Sequence, residues 1–314
     1  MIKQTIALAD NKTEFSRITL EDKKLYDSYL AQETERGCEF SFANLYLWGR
    51  QSMAISDGYI LLFSQFDRRS VYPFPLGKGN IKPVIDRIIS DAHARGIPCR
   101  ITGIGVPERM TLEELYPGKF RFHTDEGDFD YVYSINDLAD LKGKKYHSKR
   151  NHLNRFTETY PNYTAEPLSE ANMQKVKEMI DKWYEKRLAE NPNGDYHMER
   201  AALNKVLRDC KELELESIVI RNGDDILAFS AASRLSDDTF DIHFEKALPE
   251  IQGAYTVVNM EMARYIRNKY PDVLYLDREE DMGLDGLRKA KKSYYPHHMI
   301  EKCWACLLED GYDY

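Results

Sequence analysis

The chain has 314 residues, which is room for about two domains, and its hydrophobic fraction of 42% supports real cores. Its formal net charge of −8 excludes a surface that is basic overall, so nucleic acid or another anion must be bound by a local patch. No apolar run reaches the ~20 residues of a membrane span. The N-terminus lacks the apolar core of a signal peptide, and we therefore expect a soluble cytoplasmic protein.

The first half of the chain predicts helices around a sheet. Periodicity, capping and turn signals place helices at residues 20–32, 40–48 (a short helix or a buried loop), 81–94 and 112–115, and strands at 52–55, 59–63, 71–76, 99–104, 120–123 and 129–135. Asp57 and Gly58 separate two of these strands and are typical of a type I′ hairpin turn. Gly77, Lys78 and Gly79 form a glycine turn before the third helix.

The second half repeats this plan. It predicts strands at residues 163–166, 215–221, 226–234, 239–246, 273–277 and 299–308, and helices at 169–189, 197–211, 255–270 and after Gly283. Asn222 and Gly223 again indicate a type I′ turn. We therefore predict an α+β fold with two related domains, residues 1–136 and 162–314, joined by a basic linker helix at 137–161.

The linker is the most basic part of the sequence. Between Leu141 and Thr157 there is no acidic residue, and there are six basic ones: Lys142, Lys144, Lys145, Lys149, Arg150 and Arg155. Such a helix suits contact with phosphates, with Asn151 beside the cations. A solvated linker helix is the alternative interpretation.

The stretch from Thr239 to Pro296 carries the chemistry. In its first strand Phe240, Ile242 and Phe244 point one way, which predicts one face in the core, while Asp241, His243 and Glu245 point the other way. Gln252, Gly253 and Ala254 then precede a helix that begins at Tyr255. The unpaired N–H groups at a helix N-terminus attract anions, and small residues let a phosphate or an oxyanion approach them. A plain strand-to-helix turn is the alternative.

Five cysteines, an odd number, argue against a disulfide framework. Cys303 and Cys306 form a Cys-x-x-Cys pair close to His297 and His298. A zinc site is one interpretation of this group, and two ordinary buried thiols are the favoured one. We predict no metal site.

The order of elements in the second half resembles an acyl-CoA N-acyltransferase (GNAT) domain, and the turn from Pro249 to Ala254 resembles its pyrophosphate loop without the second glycine. Tandem copies resemble the Fem aminoacyltransferases and, more closely, the soluble carboxy-terminal domain of phosphatidylglycerol lysyltransferases. The motifs of this similarity are residues 144–156, 243–247, 278–283, 287–291 and 294–296. The flippase part of the lysyltransferases has no counterpart in the sequence, so the resemblance does not specify the acceptor.

This resemblance implies two tandem GNAT-like domains, each a mixed, mostly antiparallel sheet flanked by helices. It also implies transfer of an aminoacyl group from charged tRNA to a lipid headgroup, a peptide, or a small-molecule amine or hydroxyl. No cofactor is required, and CoA is the alternative donor. Two other functions stay open: an acyl-CoA-dependent N-acetyltransferase, and a non-catalytic protein that binds RNA or anionic lipid.

Attack of an amine on an ester needs a proton acceptor and an anion-stabilising site. We expect the acceptor to be Asp281 or Glu280, with Glu245 next, in a cleft that also holds Asp277, Glu279 and His243. Crowding should raise the pKa of at least one carboxyl there, and Arg288 should keep the others ionised. Alternatively, Glu279, Glu280 and Asp281, which we call the acidic turn, complement the dipole of the following helix. The expected substrate-binding residues are Gln252, Gly253, Ala254, Tyr255, Lys246, Arg288, Lys291, Lys292, Lys145, Lys149, Arg150 and Asn151.

Overall fold

The computed structural model describes residues 12–33, 36–66 and 69–311. The chain forms two compact units. The first contains the chain up to Asp130, Glu280–Leu284, and the chain from Met299 onward. The second contains Tyr131–Glu279 and Asp285–His298. The chain therefore passes from one unit to the other four times.

The first unit is built on an eight-stranded sheet with the order β1-β2-β3-β4-β6-β15-β7, in which β5 also pairs with β3. Its strands are β1 Ser16–Arg17, β2 Gln51–Ser56, β3 Tyr59–Phe66, β4 Arg69–Pro73, β5 Leu76–Gly77, β6 Arg100–Ile104, β7 Phe120–Thr124 and β15 Cys303–Leu307. Its helices are α1 Lys23–Leu30, α2 Phe42–Trp48, α3 Lys82–Arg95 and α4 Val106–Leu115. The β4–β6 pair is parallel, and the other pairs with a determined register are antiparallel.

The second unit is built on a seven-stranded sheet with the order β14-β8-β13-β12-β11-β10-β9. Its strands are β8 Asp130–Ser134, β9 Thr164–Pro167, β10 Glu216–Asn222, β11 Asp225–Arg234, β12 Thr239–Ala247, β13 Tyr275–Asp277 and β14 His298–Ile300. Its helices are α5 Ile135–Asp140, α6 His147–Thr159, α7 Glu170–Glu190, α8 His197–Asp209, α9 Ala254–Lys269 and α10 Asp285–Lys292. The second half of the basic segment therefore lies on a helix of this unit, α6, and Lys142, Lys144 and Lys145 precede this helix.

The two units do not contain the same residues as the two domains predicted from the sequence. Residues 299–308 were expected to form the last strand of the second domain, but this run forms parts of two strands. The second, β15, lies between β6 and β7 in the sheet of the first unit. Lys302, between the two strands, is part of the reason: its ammonium lies 2.9 Å from the carboxylates of Asp130 and Glu39, which also belong to the first unit.

The two predicted hairpin turns have different outcomes. Asp57 and Gly58 both have positive φ, as a type I′ turn requires. The second turn is shifted by one residue, because Asn222 pairs with Asp225 and the loop consists of Gly223 and Asp224. Of these two residues only Gly223 has a positive φ, so this turn is not of type I′.

The strand β12 and the helix α9 form the centre of the second unit. The predicted helical spacing of Val258, Met262 and Ile266 is confirmed, since all three are buried. The prediction that β12 has one face in the core was incomplete. Phe240, Ile242 and Phe244 are buried, but so are the polar residues Asp241 and His243 between them.

Candidate active site around Arg278

The strands β12 and β13 lie side by side and run parallel, with Asp241 opposite Asp277. The residues that follow β13 therefore lie beside the second half of β12: Arg278 contacts Glu245, and Glu279 Oε1 lies 3.6 Å from His243 Nδ1. The strand β12 also contains a β-bulge: Ala231 pairs with Phe244 and Ala232 pairs with Ile242, which leaves His243 as the extra residue. A bulge of this kind changes the direction of a side chain, and here the redirected side chain is an imidazole.

Arg278 follows β13 directly and its guanidinium is buried. It donates to the carboxylate of Glu245, which also accepts from Asn259 Nδ2 at 3.0 Å. The other two guanidinium nitrogens, Nε and Nη1, are buried and have no hydrogen-bond partner among the described residues. Burial opposes the positive charge, but the neighbouring Glu245 outweighs this effect and raises the pKa of Arg278. The site therefore contains a permanent cation with unused donors.

Lys149, on α6, is a second cation at this site. Its ammonium lies 3.6 Å from the centroid of the Tyr294 ring, and the Arg278 guanidinium lies 5.0 Å from the same centroid. Lys149 also donates to Ser293 Oγ at 2.6 Å. Burial and the charge of Arg278 lower the pKa of Lys149 to about 8. Two cations on one aromatic ring form a site suited to an anionic group.

The six acidic-turn and β12 candidates are divided between the two units. Glu245, Asp277, Glu279 and His243 belong to the second unit, and Glu280 and Asp281 to the first. Glu245 is held by Arg278. Asp277 Oδ1 accepts from the N–H of Glu279 at 2.7 Å, so it fixes the start of the acidic turn.

The two first-choice bases each have a contact in the first unit. Asp281 is fully buried, and its Oδ1 accepts from the N–H of Gly283 at 2.9 Å. Glu280 is half-buried and accepts from the thiol of Cys38 at 3.1 Å. That thiol also contacts Asp130. Burial, opposed by Lys302, raises the pKa of Asp130 to about 7, with Glu39 and Glu280 as further causes. A carboxyl with the expected shift is therefore Asp130, which the sequence did not single out.

Gly253 is the N-cap of α9 and has a φ of 86°. A Cβ at this position would overlap the main-chain oxygen of His152 on α6. The space that the missing side chain of Gly253 leaves is therefore occupied by the main chain of α6. Its neighbours differ in exposure: Ala254 is buried, Gln252 is exposed, and Tyr255 is partly exposed with its hydroxyl accepting from Trp183 Nε1 at 3.1 Å.

Lys246 does not point into solvent toward a phosphate. It is buried, its ammonium lies 2.5 Å from Glu199 Oε1, and it sits 3.8 Å from the centroid of the Trp183 ring. Burial lowers its pKa, although Glu199 acts in the opposite direction. Its role as a substrate-binding residue stays a prediction, and its observed contacts all lie within the second unit.

The basic segment is less free of counter-charge than its sequence indicated. Lys142 pairs with Asp140 and Lys145 with Asp137, both at 2.9 Å. These acids lie just before the stretch. Arg150 donates to the main-chain oxygens of Leu141 and Gly143. The two exposed cations of the stretch with no side-chain partner in the described structure are Lys144 and Arg155.

The remaining predicted substrate-binding residues differ in how far they are buried. Lys291 is buried and donates to the main-chain oxygens of Arg278 and Glu279, so it holds the acidic turn in place. Arg288 is half-buried and Lys292 is exposed. Asn151 is exposed and contacts His147 at 3.4 Å.

Several residues of this site were missed by the sequence reasoning: Asn259, Tyr294, Ser293 and Ser233. Asn259 carried a usable signal, because it is a polar residue on the apolar face of α9 and is 2% exposed. Buried amides normally require a defined partner, and here that partner is Glu245. Tyr294 lies in the 294–296 motif of the family resemblance but was given no role in the site. Ser293 and Ser233 follow from tertiary contacts and have no local sequence signal.

The Cys-x-x-Cys pair is buried in β15. Burial raises the pKa of Cys303 to about 11, which is typical of an ordinary buried thiol. Among the described residues, the groups with three metal-ligand atoms close together are elsewhere. They are Cys38, Glu39 and Asp130 in the first unit, and Asp241, His243 and Glu279 in the second.

No helix in the described part of the chain is both long enough and apolar enough to cross a lipid bilayer. Residues 30–306 match the family model described as phosphatidylglycerol lysyltransferase, C-terminal. The chain belongs to this family. The match covers the basic segment, β12 and the acidic turn, as the sequence resemblance predicted.

Solved structures agree with this family assignment. A conserved protein of unknown function from Bacteroides thetaiotaomicron VPI-5482 is 34% identical, with a TM-score of 0.87 over 93% of this chain and 99% of that chain. L-PGS from Bacillus licheniformis is 15% identical, with a TM-score of 0.66 over 91% and 92% of the two chains. FemX is 12% identical, with a TM-score of 0.59 over 94% and 97%. No curated protein matches the chain significantly.

The last two similarities show the fold alone. They confirm the predicted α+β class with two tandem GNAT-like domains and mixed sheets flanked by helices. Membership of the lysyltransferase family also indicates an acyltransferase.

Proposed function

We propose that this protein transfers an aminoacyl group from charged tRNA to an amine or hydroxyl acceptor. Family membership supports the transferase class. The observation that carries the proposal at the site is Arg278, a buried guanidinium whose Nε and Nη1 lack hydrogen-bond partners among the described residues. Attack on an ester produces an oxyanion, and preorganised donors at that oxygen stabilise the transition state.

Lys149 contributes a second positive charge. With a pKa of about 8 it is mostly protonated at neutral pH, and it shares the Tyr294 ring with Arg278. In a partly buried site this charge attracts an oxyanion or a terminal phosphate of the donor more strongly than it would in water. Glu245 then acts as a positioning residue, because its carboxylate fixes the Nη2 side of Arg278.

The acceptor must lose a proton to a base. The base that we propose is Glu280 or Asp281. Glu245, the next candidate from the sequence, is held by Arg278 and serves to position it. Of the first two, Glu280 is the better candidate, because its side chain is half-buried whereas that of Asp281 is fully buried. A base must reach the proton that it removes, and a fully enclosed carboxylate does not.

The donor is proposed from the positive charge on α6 and on the residues just before it. Lys144 and Arg155 are exposed. The surface pairs of Lys142 and Lys145 are weak enough, at about 0–1 kcal/mol each, for phosphates to replace their acids. Single-stranded ends of RNA are bound by such cations together with aromatic side chains. CoA is the alternative donor, and a lipid headgroup, a peptide or a small amine are the acceptors to be compared.

The test measures transfer directly. The protein is incubated with tRNA charged with labelled amino acids, or with labelled acetyl-CoA, together with phosphatidylglycerol vesicles, a peptide or a small amine. We expect product from charged tRNA, reduced by ~10²-fold in Arg278→Lys and Lys149→Met. Lys182→Met, which changes an exposed lysine on α7, is the matched control. Product from acetyl-CoA alone, or tRNA-dependent product unchanged in both variants, would reject the proposal.

A further inference from the structure

A group of three side chains, one of which directly follows Arg278 in sequence, has no part in the proposed transfer. His243, Asp241 and Glu279 each direct one nitrogen or oxygen atom to a common point, within 4.8 Å of one another. His243 Nδ1 lies 3.3 Å from Asp241 Oδ2 and 3.6 Å from Glu279 Oε1. The side chains of His243 and Asp241 are fully buried, and that of Glu279 is 22% exposed.

The decisive observation is the difference between the surroundings of the two imidazole nitrogens of His243. His243 Nε2 is hydrogen-bonded to Ser233 Oγ at 2.8 Å. Nδ1, on the other side of the ring, is buried and forms no hydrogen bond among the described residues. When Nε2 carries the proton, the lone pair of Nδ1 faces two acceptor oxygens. This arrangement is favourable when a cation lies between the three atoms.

We propose that Asp241, His243 and Glu279 bind a single zinc ion. Zinc has Zn–N and Zn–O bonds of about 2.0–2.2 Å, and in tetrahedral geometry these bonds separate neighbouring ligand atoms by about 3.3–3.6 Å. The two measured separations from His243 Nδ1 lie in this range. Two carboxylates and one imidazole also form a ligand set that zinc accepts.

The surrounding structure fixes each ligand. The β-bulge in β12 turns His243 toward the acids, and Ser233 holds the other ring nitrogen, as is usual for histidines that bind metals. Glu279 has a φ of 59°, which is strained for a residue with a side chain, and Asp277 Oδ1 holds its N–H at 2.7 Å. The partial exposure of Glu279 provides a route by which the ion enters and leaves open a position for a fourth ligand.

The cluster of Cys38, Glu39 and Asp130 in the first unit gives a useful contrast. There the ammonium of Lys302 lies 2.9 Å from both carboxylates and takes the place of a metal cation. Cys38→Ser is therefore a control that alters the second ligand-like cluster and leaves the proposed site intact.

The test measures metal binding and does not depend on transferase activity. The full chain is stripped with a chelator, returned to Zn²⁺, and analysed for zinc content by mass spectrometry and for affinity by competition with a chromogenic chelator. We expect one zinc per chain, and at least tenfold weaker binding in Glu279→Gln, Asp241→Asn and His243→Gln. Ser233→Ala should weaken binding by about 10–100-fold. Cys38→Ser and Glu280→Gln should bind as the parent does.

Cobalt provides a second readout. Co²⁺ at the proposed site should give the intense visible absorption of tetrahedral coordination without a thiolate charge-transfer band. If Asp241→Asn does not fold, the more exposed Glu279→Gln decides the outcome. Absence of zinc at micromolar concentrations overturns the proposal, and so does equal binding by Glu279→Gln and the parent. Loss of zinc in Cys38→Ser, or preference for Mn²⁺ over Zn²⁺, overturns it as well.

Discussion

The main-chain oxygen of His152 on α6 lies where a side chain of Gly253 at the start of α9 would begin. The glycine therefore allows α6 and the start of α9 to come into close contact, in addition to any role in binding an anion. A Gly253→Val variant, which the sequence alone would suggest as a test of ligand binding, would disturb this helix contact. Binding and stability must be tested by separate changes.

Gly253→Ala should destabilise the protein for two reasons, a positive φ and an overlap with His152. We expect a loss of about 2–4 kcal/mol in the free energy of unfolding. Gly143→Ala is the matched control, because Gly143 has a φ of 91° and open space where a Cβ would stand. It should cost about 1 kcal/mol. Equal losses in the two variants, measured by urea denaturation, would contradict the helix contact.

Lys149 should make stability depend on pH. Its pKa is lowered from 10.5 to about 8 in the folded protein, so the unfolded chain binds its proton more tightly. The free energy of unfolding of the parent relative to Lys149→Met should therefore rise between pH 8 and pH 10.5, and this gain is absent below pH 8. Lys144→Met, at an exposed lysine, should show no such trend. A parent-to-variant difference that is constant from pH 7 to pH 10 would show that Lys149 titrates normally.

Glu245→Gln should leave Arg278 buried without its carboxylate. Removing one partner of a buried pair typically costs about 3–5 kcal/mol of unfolding free energy. Glu113→Gln provides the control, because Glu113 pairs with Arg109 on α4 at 2.9 Å and both side chains are 49% exposed. That change should cost at most about 1 kcal/mol. Similar melting temperatures for the two variants would mean that Arg278 has another counter-charge.

Binding of tRNA should depend on two exposed cations, Lys144 just before α6 and Arg155 within it. The slope of log affinity against log salt should fall by about 0.7–0.9 for each phosphate contact that is lost. We expect Lys144→Glu with Arg155→Glu to weaken binding and to flatten this slope. Lys177→Glu with Lys182→Glu makes the same charge change on α7, where both lysines are exposed, and should have a smaller effect. Equal effects of the two pairs would indicate non-specific attraction.

The proton acceptor is tested by two neighbouring substitutions. Glu280→Gln should lower turnover by ~10²–10⁴-fold with tRNA binding retained, as loss of a general base does. Asp281→Asn should have the smaller effect, because the buried Asp281 is already bonded to Gly283 and asparagine preserves that contact. Parental turnover in both variants would falsify the assignment of the base to the acidic turn.

Local patterns in the sequence were sufficient for much of the second unit. The four-residue spacing predicted α9, and β-strand patterns predicted β12 and β13 on either side of it. The Asp57-Gly58 turn was correct because its φ preferences are local. The shift at Asn222 was not visible, because it depends on the pairing of β10 with β11.

The candidate site was harder to predict, because its contacts are distant in sequence. Arg278 was identified within a motif, but its burial depends on Glu245, 33 positions earlier. Lys142 and Lys145 form ion pairs with acids on α5, which lie just before the basic segment. Burial raises the pKa of Asp130 to about 7, although nothing in the sequence singled out this residue. Neither the contacts between distant residues nor the burial of the side chains can be read from the local composition of the sequence.

The position of β15 has a consequence for synthesis on the ribosome. In the first sheet β6 and β7 have no direct pairing, and β15 connects them. The emerging chain completes β7 nearly two hundred residues before β15 exists. Until then β6 has an open edge, which can pair with other nascent chains. The amino-terminal sheet is therefore the last part of the molecule to be finished, and truncation near the carboxyl end should harm the half that is made first.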